Sequence, residues 1–203
     1  MKLTVHDMRK HPPTKRLFAA ILPPAAWIEG INRFQQGLMR TFGDAVRWVD
    51  PKTYHITVRF FGNIETQLAG RLISEWQQHP CPLSAPLLVA PAVGGCFPPE
   101  GAPRVVWAGA SAPIAVWNEV LSHIAHRLSA LEIEYPTSQF TPHITLGRIK
   151  DCSHIAALRD HSGVKITELT GFEATHLDLM LSQQTHVGNR YTSVARCPFL
   201  YCS

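Results

Sequence analysis

The 203-residue chain has no run of eighteen or more apolar residues, so no segment reads as a membrane-spanning helix. Charge is scarce: Asp, Glu, Lys and Arg make up 17%, against roughly 25% in an average soluble domain. The five cysteines, Cys81, Cys96, Cys152, Cys197 and Cys202, are odd in number and form no CxxC pair, which suits a reduced, cytoplasmic protein. Nor does the N-terminal stretch read as a secretory leader. The apolar residues 17–22 stop at Pro23-Pro24, short of the roughly seven to fifteen that a signal peptide needs. No HExxH pattern accompanies His123 and His126, so these read as two histidines on a half-exposed helix rather than metal ligands. No flexible linker or shift of composition divides the chain.

What is present is a core-forming composition. Apolar residues reach 45%, which excludes disorder and a collagen-like fibre. Sixteen prolines imply many turns and abrupt helix starts, and the net charge is +4. Eleven histidines stand out. Together with the mild positive charge they suggest an anionic substrate and proton transfer.

The order of elements repeats. Residues 16–22 read as a strand behind a basic tail over 1–15, and Pro23-Pro24 opens a helix with an apolar stripe of Trp27, Ile31, Phe34, Leu38 and Phe42. A short strand follows over 46–49 and a clear one over 54–61. Asn63 is then expected to cap a second helix carrying Ile64, Leu68, Leu72 and Trp76. In the second half a strand over 104–110 leads to Pro113, and Ile114, Trp117, Leu121, Ile124, Leu128 and Leu131 form the stripe of another helix. A strand over 142–149 and a short helix near Ser153 come next. Further strands fit residues 87–93, turned by Gly94-Gly95, then 172–182 and 191–200. The expectation is an α+β fold of two pseudo-symmetric lobes, antiparallel sheet inside and helices outside, folded as one domain over 16–203.

Each half carries one His-x-Thr: His55-Ile56-Thr57 and His143-Ile144-Thr145. In a strand, side chains alternate between faces, so each histidine shares a face with its threonine. Arg59 should join His55 and Thr57, with Tyr54, Ile56, Val58 and Phe60 opposite. A single such motif reads as a core histidine, but two copies at matching places in a repeated layout do not arise by chance. Two histidines can divide the work of acid and base near neutral pH. Two threonine hydroxyls can donate to the oxygens of a phosphate. That set suits in-line cleavage of a phosphodiester and calls for no metal.

The stretches YHITVRFFGNI and FTPHITLGRIK resemble the two motifs of the two-histidine phosphoesterase superfamily. The branch most similar is the bacterial and archaeal RNA 2′,3′-cyclic phosphodiesterases, historically called 2′-5′ RNA ligases. RLFAAILPP and LDLMLSQQTHVGNRYTSVARCPF are similar to that branch's opening strand and closing hairpin. Val58 stands where the family usually has Leu. The resemblance implies a cleft between two lobes, no cofactor and no metal, and hydrolysis of RNA 2′,3′-cyclic phosphate ends to 2′-phosphomonoesters. His55 would be the proton donor to O3′ and His143 the proton acceptor from water, with Thr57 and Thr145 on the phosphate. Arg148 matches a basic position of the family's second motif. Strict alternation puts it opposite His143, so it reaches the phosphate only if the strand ends or bulges after Gly147. Arg59 is a second candidate phosphate contact, and Phe140 a candidate to stack on a base. Core packing is the expected role of Trp48. With an RNA 5′-hydroxyl replacing water, the same chemistry would give 2′-5′ ligation. The rival readings are a small cyclic substrate such as ADP-ribose cyclic phosphate, and a non-catalytic RNA-end-binding protein. A monomer is expected.

Overall fold

The computed structural model describes residues 12–137, 139–150, 163, 164, 166, 169–186 and 188–201. Most of the basic tail and the helix expected near Ser153 lie outside them. Strand β1 (Thr14–Ile21) leads through Pro23-Pro24 into α1 (Ala25–Phe42), and β2 (Val46–Trp48) precedes β3 (Ile56–Glu65) and α2 (Thr66–Gln78). Short β4 (Cys81–Leu83), long β5 (Leu87–Phe97) and β6 (Val105–Ser111) follow, then α3 (Ile114–Ala130) and β7 (His143–Ile149). The chain closes with β8 (Phe172–Ala174), β9 (His176–Thr185) and β10 (Gly188–Tyr201). The result is a mixed α+β fold: one large sheet in the order β4-β10-β9-β1-β3-β7-β6-β5-β8, with β2 beside β7. All described pairings are antiparallel except β4 with β10.

Prolines set both major helices. Pro24 and Pro113 stand at the N-cap positions of α1 and α3, where a missing N–H costs nothing. Trp27 and Trp117 then fall on the buried face, at 2% and 1% exposure. The central strands explain why the helices dock on one side only. Along β1, Leu17, Ala19 and Ile21 enter the main core, which also holds the buried residues of all three helices. Phe18 and Ala20 point the other way and join Met180 in a small cluster that no helix covers. The uncovered face carries the site.

Three expectations need correction. Asn63 does not cap a helix: β3 continues to Glu65 because Thr14, Lys15 and Arg16 of β1 offer it backbone partners. Gly94-Gly95 does not turn the chain, since β5 runs on to Phe97 against β6 with only a local shift of register. Phe60 is half exposed rather than buried. The β1–β3 register slips at Val58, between Ala19 and Ala20, which inverts the alternation so that Phe61 is the residue sent into the core. No described helix is long and apolar enough to cross a membrane.

Candidate functional site

The two halves of the sheet meet where the motifs lie. Strands β3 and β7 share a single pair, Ile56 with Ile144, and both isoleucines are buried. An antiparallel rung through these two residues sets His55 opposite Thr145 and Thr57 opposite His143. The four side chains therefore alternate around a quadrilateral with the histidines on its diagonal. A strand spacing of about 4.8 Å and a rise of about 3.3 Å per residue put the two histidine Cα atoms on the order of 8 Å apart.

Each imidazole is held in the same way. His55 Nδ1 lies 2.7 Å from the carbonyl of Thr53, and His143 Nδ1 lies 2.7 Å from that of Thr141. A carbonyl can only accept, so Nδ1 carries the proton in both rings and Nε2 of the neutral form is left with a lone pair. Both motifs read Thr-x-His-Ile-Thr, with the accepting carbonyl two residues before the histidine in each half. Burial holds both histidines below the ordinary 6.5, opposed in part by those carbonyl bonds. The charge of His143 lowers His55 further, as expected of two imidazoles in one site.

Aromatic rings seat each histidine. Phe18 and Tyr191 lie 5.0 Å from the His55 ring, centroid to centroid, and meet each other edge-on at 5.4 Å. Around His143 stand Phe97 at 5.0 Å and Trp107 at 6.1 Å. Trp107 lies flat over β5 because Gly95 has no side chain there; a Cβ would collide with the indole. None of these four rings could be assigned from sequence, since each reaches its histidine through strand register.

Register also decides the other candidates. Thr57 pairs with Ala20 and Thr145 with Trp107, both on the open face. Arg148 joins them. Between Thr145 and Gly147 the β6–β7 register slips, so Leu146 is an extra residue and the alternation inverts beyond it. The break falls one residue before Gly147 rather than after it. The bulged Leu146 carbonyl accepts from Val49 N and from Nε2 of buried Gln35, both at 2.9 Å. Arg148 stands directly across from Arg47 on β2, and both are exposed. Like charges so opposed repel, and an anion between them would relieve it.

Arg59 goes elsewhere. The β1–β3 register slips at Val58, which pairs Arg59 with Ala19 on the helix-covered face, and its guanidinium lies 5.8 Å from the Tyr135 ring. Phe140 meets buried Trp117 edge-on at 4.9 Å and packs on the main core. Trp48 packs on the same core and donates from Nε1 to the Gly43 carbonyl. Among the described residues, no three His, Cys, Asp or Glu side chains converge in a way that could hold a metal ion.

The chain resembles known proteins in sequence and in fold. The family model for LigT-like phosphoesterases matches residues 21–107. The RNA 2′,3′-cyclic phosphodiesterase of Methanocaldococcus jannaschii is 29% identical over 178 residues, 87% of this chain and 96% of the relative. That of Aquifex aeolicus is 29% identical over 150 residues, 73% and 79% of the two chains. Among solved structures, the TT0787 protein of Thermus thermophilus superposes with a TM-score of 0.69 at 24% identity, covering 90% of this chain and 97% of its own. LigT of E. coli in its apo form gives 0.67 at 21%, covering 92% and 98%. The two structural likenesses extend along nine-tenths of the chain or more.

Proposed function

We propose that the chain is a LigT-like phosphoesterase, a reading supported by the family match over residues 21–107 and by its RNA 2′,3′-cyclic phosphodiesterase relatives, and that it hydrolyses RNA 2′,3′-cyclic phosphate ends to 2′-phosphomonoesters. The observation that carries the reading is the diagonal of two imidazoles, each with Nε2 left open by the same carbonyl bond. In-line displacement needs a base behind the attacking water and an acid beyond the leaving oxygen, which is what a diagonal offers. His143, neutral, takes a proton from water as the water oxygen bonds to phosphorus. The bond from phosphorus to O3′ breaks, and protonated His55 donates to O3′. Exchange with solvent then resets both rings.

Thr57 and Thr145 donate hydroxyls to the non-bridging oxygens, where charge gathers in the transition state. Arg148, with Arg47 across from it, adds positive charge on the His143 side. The step requires no metal. With an RNA 5′-hydroxyl in place of the attacking water, the same displacement of O3′ forms a 2′-5′ bond. The protein works in this reading as a cytoplasmic monomer that grips one RNA terminus, in keeping with a net charge of only +4.

The test is a defined RNA ending in a 2′,3′-cyclic phosphate, incubated with the protein in EDTA. A 2′-phosphate product is expected. A 3′-phosphate product, or activity abolished by EDTA, would overturn the mechanism.

A further inference from the structure

We infer that a cavity at the start of β9 is a subsite for the base of the nucleotide preceding the cyclic end, selective for adenine or cytosine. The assignment rests on the reaction proposed above. The cavity has a volume of about 340 Å³, within the roughly 300–1,000 Å³ of small-ligand pockets. Three observations carry the inference.

The first is its place. Thr57 pairs with Ala20, Ala20 with Asp178 and Asp178 with Arg196, so the four form one row across the open face. Asp178 and Arg196 line the cavity. So does Leu22, one residue past Ile21, whose partner Ile56 follows His55. The cavity therefore lies on the His55 side of the phosphate, away from Arg148. The leaving O3′ stays on the ribose, so the ribose and the RNA behind it lie on the side of the acid, which is His55. Asp178 stands two strands from Thr57, about 10 Å. That is beyond the residue whose phosphate rests on Thr57 and at the reach of the one before it.

The second is a buried carboxylate with an oxygen to spare. Asp178 is 2% exposed. The hydrogen bonds it accepts among the described residues, from Ser193 Oγ and from Arg196 Nε at 3.1 Å, both end on Oδ1. Oδ2 is left to accept from an occupant of the cavity. Arg196 is held through Nε and its side chain is 55% exposed, so its terminal nitrogens can donate to the same occupant.

The third is the balance of the lining. Asp178 and Arg196 cancel in charge and Glu173 adds a carboxylate, so the cavity disfavours a phosphate and suits an uncharged group. Leu22, Pro24 and Phe172 give it an apolar wall for the face of a base. An acceptor beside a donor matches an exocyclic amine next to a bare ring nitrogen. Adenine and cytosine carry that edge, whereas uracil presents a carbonyl in place of the amine.

The experiment uses three dinucleotides whose first base is adenine, cytosine or uracil and whose last residue is a uridine 2′,3′-cyclic phosphate. Uridine 2′,3′-cyclic phosphate alone, which has no preceding base, is the fourth substrate. Wild type should turn over the adenine and cytosine dinucleotides with kcat/KM about 10- to 100-fold above the uracil one, the discrimination of one bidentate base contact. Asp178→Asn can turn a donor where Oδ2 accepts, and should remove that preference while matching wild type on the mononucleotide. Arg196→Gln, at an exposed side chain, should reduce the preference too, and serves where the buried change prevents folding. Equal kcat/KM for the three dinucleotides in wild type overturns the subsite while leaving the reaction standing. So does a loss in Asp178→Asn that is equal on the mononucleotide and the dinucleotides. A wild-type protein that turns over none of the four overturns the reaction, and the subsite falls with it.

Discussion

The first motif and the second are alike in everything that touches the proton and unlike in what surrounds it. Both present Thr-x-His-Ile-Thr, both anchor Nδ1 on the carbonyl two residues back, and both histidines are lowered by burial. The first is seated by Phe18 and Tyr191 and continues to Phe60; the second is seated by Phe97 and Trp107 and continues to Arg148. What the halves share can supply an acid and a base. In the reaction proposed, a symmetric pair of imidazoles cannot tell the ribose side of a phosphate from the water side, so direction has to come from what the halves do not share.

Removing either histidine tests the shared part and should cost most. His55→Ala and His143→Ala are each expected to lower kcat by about 10²- to 10⁴-fold, with thermal unfolding close to wild type. Near-full activity in either variant would break the likeness of the halves. The unlike part should respond less. Arg148→Ala is expected to lower kcat/KM about 10- to 100-fold, the loss of a charge-assisted bond to phosphate. Gln35→Leu, which strips the bulge of one partner from the far side of the sheet, should give a smaller share of the same loss. Unchanged kcat/KM in Arg148→Ala would remove the guanidinium flank from the contrast.

The pH dependence sharpens the comparison most finely. With both histidines below 6.5, kcat/KM should follow a bell whose maximum lies on the acid side of about pH 6.5, reporting the pair rather than either ring. Stability should move the other way. A lowered histidine takes up its proton later in the fold than in the unfolded chain, so stability is fully present above about pH 6.5 and falls as the pH drops through that value. Melting temperatures measured from about pH 7.5 to 5 should therefore fall less steeply in the His55→Gln, His143→Gln double variant. An optimum above pH 7, or equal slopes, would contradict burial as the dominant influence.

The parts of the molecule legible in sequence are those governed by local period and by proline. The stripe of α1, the proline starts of α1 and α3, and the shared face of each histidine and its threonine follow from periods of 3.6 and 2. The rest depends on pairing between distant strands. Slips at Val58, Phe61 and Leu146 invert the alternation, which sends Arg59 to the helix face and brings Phe60 and Arg148 to the open one. Nothing in a period-2 pattern marks where such an extra residue falls. The extension of β3 to Glu65 was hidden for the same reason, because it follows from what β1 offers as a partner rather than from its own residues. Phe140 illustrates a different limit. An aromatic beside a motif looks available to a base until the helix it packs on is known to carry Trp117.

The rung between Ile56 and Ile144 joins residues roughly ninety positions apart. Chain closure over such a span is among the slower events open to a folding domain, since its entropy is lost before the contact returns anything. Until that rung closes, neither histidine has the other's motif beside it. The site proposed above therefore belongs to both motif strands together and to neither alone.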